Sequence, residues 1–234
     1  MKLKVCGMKH NPKAVAALQP DYLGFIFWGK SARFFEGEMP SIPDNIKKVG
    51  VFVDASLEDV LKTIQKFNLD AVQLHGQESP EFCNLIRKQF ANISDVALSG
   101  VEMSLPSKVK SLEIIKVFSI KDDFDFSVLK PFETVCDYFL FDTKGKLPGG
   151  NGYAFNWKIL EHYPSTKPYF LSGGIGLENQ KDLESFLKTD AAQYCHVIDI
   201  NSKFEIQPGH KNIEAVKEFK TFLTKMNQSK KVKS

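Results

Sequence analysis

The chain has 234 residues, 43% of them hydrophobic and 25% charged, with a formal net charge of +3. That composition belongs to an ordinary globular protein able to bury a large core, and the charge is too small to argue for a nucleic-acid partner. No run of about 18 apolar residues offers a membrane span.

The opening stretch, Met1-Lys-Leu-Lys-Val-Cys-Gly7, has neither an apolar h-region nor a small-residue cleavage site. It reads as the start of a strand, and a cytoplasmic location is expected. Short apolar runs then recur, most of them followed by amphipathic stretches. Leu3 to Cys6 is the first, before a helical stretch from Pro12 to Leu18. Tyr22 to Phe27 is the second. Val49 to Val53 is the third, before Ser56-Leu-Glu-Asp59, an N-cap signal for a helix to about Phe67. Ala71 to Leu74 is the fourth, with a helix from about Pro80 to Phe90. Ile114 to Ile120 is the fifth and Tyr138 to Phe141 the sixth. Tyr169 to Leu171 is the seventh, before a helix from about Glu178. His196 to Ile200 is the eighth, before a final helix from about Asn212 to Lys225. In the segment from Asn92 to Glu113, Ile93 to Leu98 and Val101 to Met103 also look extended, and the segment is read as an excursion before the fifth strand.

Strands alternating with helices give βαβ units and a parallel sheet. Eight such runs favour a closed (β/α)8 TIM barrel over an open sheet, and the length is close to the roughly 250 residues of one such domain. The Cys6-Gly-Met-Lys9 that follows the first run lacks a dinucleotide-binding glycine fingerprint. Residues 1–225 are assigned to the single barrel domain. Residues 226–234, with Lys230, Lys231 and Lys233 and no acid, are assigned to a frayed basic tail. The four cysteines, Cys6, Cys83, Cys136 and Cys195, match no zinc or redox spacing, so neither a metal site nor a disulfide is expected.

In a barrel, chemistry gathers at the C-terminal ends of the strands. Ser172-Gly-Gly-Ile-Gly176 ends the seventh strand, where glycines allow close backbone approach to a ligand. Ser202-Lys-Phe-Glu205 has the form of a capping box that would open a short helix after the eighth. Each has a bland reading, a tight turn or a simple cap; together they mark a phosphate cup. Cys6 is either a buried thiol or a base. Asp142 is either a loop cap or a partly desolvated general acid. The glycine-rich Gly145 to Gly152 is either a solvated loop or a cover over the site. Arg33 is either a surface arginine or the partner of a substrate carboxylate. His75, beside Gln73, is either a hydrogen-bonding strand end or a ligand or acid.

Several stretches, in order along nearly the whole chain, carry a resemblance. They are Lys4-Val-Cys-Gly-Met8, Leu23-Gly-Phe-Ile-Phe27 with Ser31-Ala-Arg33, Val49-Gly-Val-Phe-Val53 and Val72-Gln-Leu-His-Gly76. They continue with Phe139-Leu-Phe-Asp-Thr143, Gly149-Gly-Asn-Gly152, Phe155-Asn-Trp157 and Leu171-Ser-Gly-Gly-Ile175. They end with Ile198-Asp-Ile-Asn-Ser202, Glu205 and Pro208-Gly-His-Lys211. The sequence resembles the phosphoribosylanthranilate isomerases of tryptophan biosynthesis. The resemblance implies a (β/α)8 barrel, monomeric or homodimeric, that takes a small phosphosugar and needs no cofactor. It implies an Amadori rearrangement with Asp142 as general acid and Cys6 as general base. It places Arg33 at the anthranilate end, and Gly173, Gly174, Asn201 and Ser202 around the phosphate. The two groups need opposite protonation states at one pH, so an Asp pKa raised by burial and a Cys pKa lowered by a cation are expected. The chain departs from the family pattern at Ala32, where proline is frequent, at Asn201, where serine is frequent, and at Lys203, where glycine is frequent. Lys203 either adds charge beside the phosphate or points outward.

Two rival readings stand beside this one. A histidine-pathway isomerase would be expected to carry Asp where this chain has Cys6, and an indole-glycerol-phosphate synthase would use a Lys and Glu set on early strands. A catalytically silent binding barrel sits poorly with the retention of Cys6 and Asp142.

Overall fold

The computed structural model describes residues 1–98, 111–121, 123–143 and 156–231. Eight parallel strands close on themselves in chain order. They are β1 Lys2–Cys6, β2 Tyr22–Ile26, β3 Lys47–Phe52, β4 Ala71–Leu74, β5 Glu113–Ile120, β6 Tyr138–Thr143, β7 Tyr169–Leu171 and β8 Cys195–Ile200. The helices are α1 Pro12–Ala17, α2 Leu57–Phe67, α3 Pro80–Leu98, α4 Gln180–Leu187 and α5 Ile213–Lys231. Single-turn or short 3-10 segments, Phe126–Phe132 and Trp157–His162, lie after β5 and β6. A two-stranded hairpin, β9 Glu205–Gln207 and β10 His210–Lys211, follows β8.

Local signals explain the clear boundaries. Ser56 caps α2 by accepting from Asp59 N at 3.1 Å, Glu58 and Asp59 favour its first turn, and Asn68 ends it in the left-handed conformation. The stretch Ile93 to Leu98 is helical, not extended. It continues α3, because no glycine or proline interrupts the chain from Glu81 to Ser99; Val101 to Met103 and Gly145 to Gly152 fall outside the described residues. At the C-terminus α5 does not stop at Lys225. It runs to Lys231, Met226 is buried, and Asn227 exchanges hydrogen bonds with Met1 across the ends of the chain.

Two apolar masses hold the barrel. The larger lies between the outer faces of the strands and the helices and includes Val5, Phe25, Phe139, Leu171, Ile198 and Phe219. The smaller fills the barrel with Tyr22, Val49, Ala71, Ile115, Val117, Leu140, Phe170 and Val197. Alternation along each strand sends every second side chain inward. On β1, β4, β6 and β8 the inward series ends in polar or reactive groups: Lys4 and Cys6, Gln73 and His75, Asp142, Asp199 and Asn201. Gly24 is the inward residue of β2 opposite Cys6 in register. A Cβ there would stand 2.8 Å from Cys6 Sγ and 3.2 Å from Lys4 Cε.

Gly24→Ala should therefore cost roughly 1–3 kcal/mol through overpacking and displace Cys6. Urea unfolding measures the cost, and a wild-type midpoint in the variant would show that the thiol and lysine have room to move.

Candidate active site

Ten candidate residues line one pocket at the C-terminal ends of the strands. Cys6 comes from β1, Arg33 from the loop after β2, Gln73 and His75 from β4, Asp142 from β6, Gly173 and Gly174 from the turn after β7, and Asn201, Ser202 and Lys203 from the turn after β8.

Asp142 is nearly buried, and its Oδ1 accepts from the backbone N–H of Thr143 at 2.9 Å. His75 Nε2 lies 3.4 Å from Asp142 Oδ2, close but too poorly aligned to count as a hydrogen bond. The next loop carrying His75 is tied down by a buried pair: Lys116 Nζ donates to Gly76 O at 2.7 Å and to Glu78 Oε2 at 3.0 Å, while Glu78 accepts from Asp54 N and Gly76 N.

The Cys6 thiol sits above a fully buried ion pair. Lys4 Nζ donates to Asp199 Oδ2 and to Gln73 Oε1, each at 2.7 Å, and Lys4 and Asp199 are register partners in adjacent strands. The expectation of a lowered thiol pKa does not hold. Burial pushes the Cys6 thiol above its ordinary value, Lys4 and Lys211 pull against it without prevailing, and Asp199 adds to the rise. On Lys4 burial acts downward, but Asp199 and Cys6 outweigh it and hold the ammonium charged.

The second cluster sits under the loops after β2 and β8. Glu205 grips Arg33 through both oxygens, Nε at 2.9 and 3.0 Å and Nη2 at 2.7 Å. It also accepts from the fully buried Lys211 at 2.7 Å. Lys211 reaches further, to the side-chain oxygen of Asn201 at 2.8 Å and its carbonyl at 3.1 Å. Burial pushes the Glu205 carboxyl up, but the two cations reverse this and hold it below the usual carboxylate range. Burial pulls Lys211 down to about 8, against the opposing effect of Glu205.

The expected Ser202–Glu205 capping box does not form. Ser202 opens a single 3-10 turn, Ser202–Phe204, whose cap position is Asn201 and which has no side-chain cap. Two cations, the half-buried Arg33 and the buried Lys211, claim the Glu205 carboxylate instead, a stronger demand than one backbone N–H. Gly173 and Gly174 both have positive φ, +89° and +66°, and a Cβ on Gly173 would overlap Thr143, so only glycine fits this turn. Lys203 pairs with Glu178 at 2.8 Å, linking the turns after β7 and β8 while lining the pocket. Among the described residues no group of three His, Cys, Asp or Glu side chains could hold a metal ion. None of the helices among those residues is long and apolar enough to cross a membrane.

Asp199 stands at a strand end where a barrel gathers its chemistry, but neither Lys4 nor Lys211 was read from sequence as a site residue, although two signals were there. Lys4 interrupts the apolar run Leu3 to Cys6 at an inward position, and Asp199 does the same in Val197 to Ile200. A charge at such a position needs a partner across the barrel.

Comparison with known proteins agrees with this geometry. The family described as N-(5'phosphoribosyl)anthranilate (PRA) isomerase matches residues 3–102 and 91–221. A curated N-(5'-phosphoribosyl)anthranilate isomerase of Parabacteroides distasonis is 37% identical over 227 residues, covering 94% of this chain and 91% of its own. Its counterpart from Phocaeicola vulgatus is 36% identical, covering 97% and 98%. Among solved structures, the phosphoribosyl anthranilate isomerase of Thermus thermophilus superposes with a TM-score of 0.74 at 22% identity, covering 97% of this chain and all of that one. At that identity the likeness bears on the fold.

Glu205→Gln removes the anion that Arg33 and Lys211 share, and should cost about 3–5 kcal/mol at neutral pH. A carboxyl held below its unfolded value stabilises the fold above that value and stops doing so as pH falls through the folded one. The stability gap between wild type and variant should therefore close as pH falls below about 4.3. Urea unfolding across that range checks it; a gap that stays constant would remove Glu205 as its source.

Proposed function

The chain belongs to the N-(5'-phosphoribosyl)anthranilate isomerase family, an isomerase of tryptophan biosynthesis, and from that premise we propose how its own residues divide the reaction. The observation that carries the proposal is the pocket itself. A thiol on β1 and a carboxyl on β6 line it from separate parts of the barrel wall, with a glycine turn and a guanidinium beside them.

Asp142 gives its proton to the furanose ring oxygen. The C1–O bond breaks with its electrons on that oxygen, and the nitrogen lone pair forms the C=N of a Schiff base. Cys6 then removes the proton from C2. The freed C–H electrons become the C1=C2 bond and neutralise the iminium, giving an enol-amine. Tautomerisation adds a proton at C1, takes one from the 2-hydroxyl, and leaves the ketone. The bonds balance as an internal redox shift, with C1 reduced and C2 oxidised.

The anionic ends of such a substrate need cationic or N–H-rich ground. Arg33, its plane fixed by Glu205, takes the anthranilate carboxylate. The backbone at Gly173, Gly174, Asn201 and Ser202 takes the phosphate, and Lys203 adds charge at the same edge. Gln73 and His75 flank the reacting sugar, His75 beside the acid. All these groups come from one chain, so the reading serves a monomer or a homodimer, and a cytoplasmic location is part of it.

Freshly made phosphoribosylanthranilate, followed by its fluorescence, tests the assignment. Asp142→Asn and Cys6→Ser should each lose about 10²- to 10⁴-fold in kcat with KM little changed, the pattern of an interaction made in the transition state. Undiminished turnover in either variant would sink that assignment. A second outcome concerns pH. Because burial raises the thiol and the thiolate is the active form, turnover should climb as pH rises above neutrality. A profile flat on that side would argue against Cys6.

A further inference from the structure

We propose that Lys4, held by Asp199 and Gln73, is a positioning residue for Cys6, its buried ammonium serving as the counter-charge on which the thiolate forms. The proposal rests on the reading of Cys6 as the base.

Lys4 is fully buried in the wall of the barrel, two residues before Cys6 on the same inward face. A lysine in that place is costly. Replacing a buried ion pair with apolar residues of similar volume is commonly neutral or stabilising, so packing alone gives no reason for it. An ammonium has three donors. One goes to Asp199 and one to Gln73, which leaves a third, and the positive charge of Lys4 favours the Cys6 thiolate. Gly24 keeps the space between the two side chains clear. Asp199 is not a closed structural partner either: Oδ1 has no hydrogen-bond partner among the described residues, and the residue lines the pocket.

The charged groups facing Cys6 are Lys4 on β1, Asp199 on β8 and Lys211 on β10. Asp199 opposes a thiolate. Lys211 favours one, but its donors go to Asn201 and Glu205. Lys4 is the cation that answers the thiolate directly.

The test compares Lys4→Met with wild type, and Lys4→Met combined with Asp199→Asn with Asp199→Asn alone, because loss of Asp199 by itself favours the thiolate. The double variant leaves no unpaired carboxylate and so keeps the test open if the single one fails to fold. The rising limb of kcat against pH should move up by about one unit or more. Alkylation of Cys6 by iodoacetamide at a fixed pH, read by mass spectrometry, should slow about tenfold or more. A folded double variant whose limb and alkylation match those of Asp199→Asn alone overturns the role of Lys4. Cys6→Ser assayed alongside separates the two failures, since retained turnover there overturns the base assignment itself.

Discussion

Closing eight parallel strands into a barrel sends every inward side chain toward the others, with no solvent to fall back on. Most inward positions of this chain answer with apolar groups, from Tyr22 to Val197. At the C-terminal end the answer is ionic. Asp199 holds Lys4 inside the barrel, Glu205 holds Lys211 and Arg33 under the loops, and Glu78 holds Lys116 on the outward side of β5. Each pair joins different strands or loops. The rim is thus fixed by charges that cannot be left alone in a low-dielectric interior. The side chains of the pocket take their places from this framework.

Two of the clusters differ in what they hold. Asp199 and Lys4 lie below Cys6, deep in the barrel, where a change of charge is felt strongly. Glu205, Arg33 and Lys211 lie under the loops and fix the geometry of Arg33 and of the Asn201 turn. The pocket wall carries two cations, Arg33 and Lys203, which suits a substrate with a carboxylate and a phosphate. The proposed acid and base stand on separate strands. One protonates a ring oxygen while the other strips a carbon, and neither has to pass its proton to the other.

The raised thiol is the feature that sits least easily with the proposed chemistry. Burial favours the neutral form, and the cations around it only narrow the gap. A base that rests protonated trades part of its active fraction for a buried position. In such a position each remaining charge acts over a short, poorly screened distance.

Much of this was readable in the sequence. The run of short apolar strands and amphipathic helices determined the barrel, because inward and outward alternation is written residue by residue. Cys6, Asp142 and the Ser172-Gly-Gly turn stood at strand ends, where a barrel must present them. What only the tertiary structure decided were the pairings. Lys4 meets Asp199 across 195 positions of sequence, and Arg33 meets Glu205 across 172. The Ser202 box looked local and complete, yet its glutamate was taken by cations brought from elsewhere. Likewise Ile93 to Leu98 looked extended, although the helix begun at Pro80 simply continued. Patterns of period and capping are local and survive in one dimension. The partner of a buried charge, and with it the pKa of the thiol beside it, depends on which residues folding brings together.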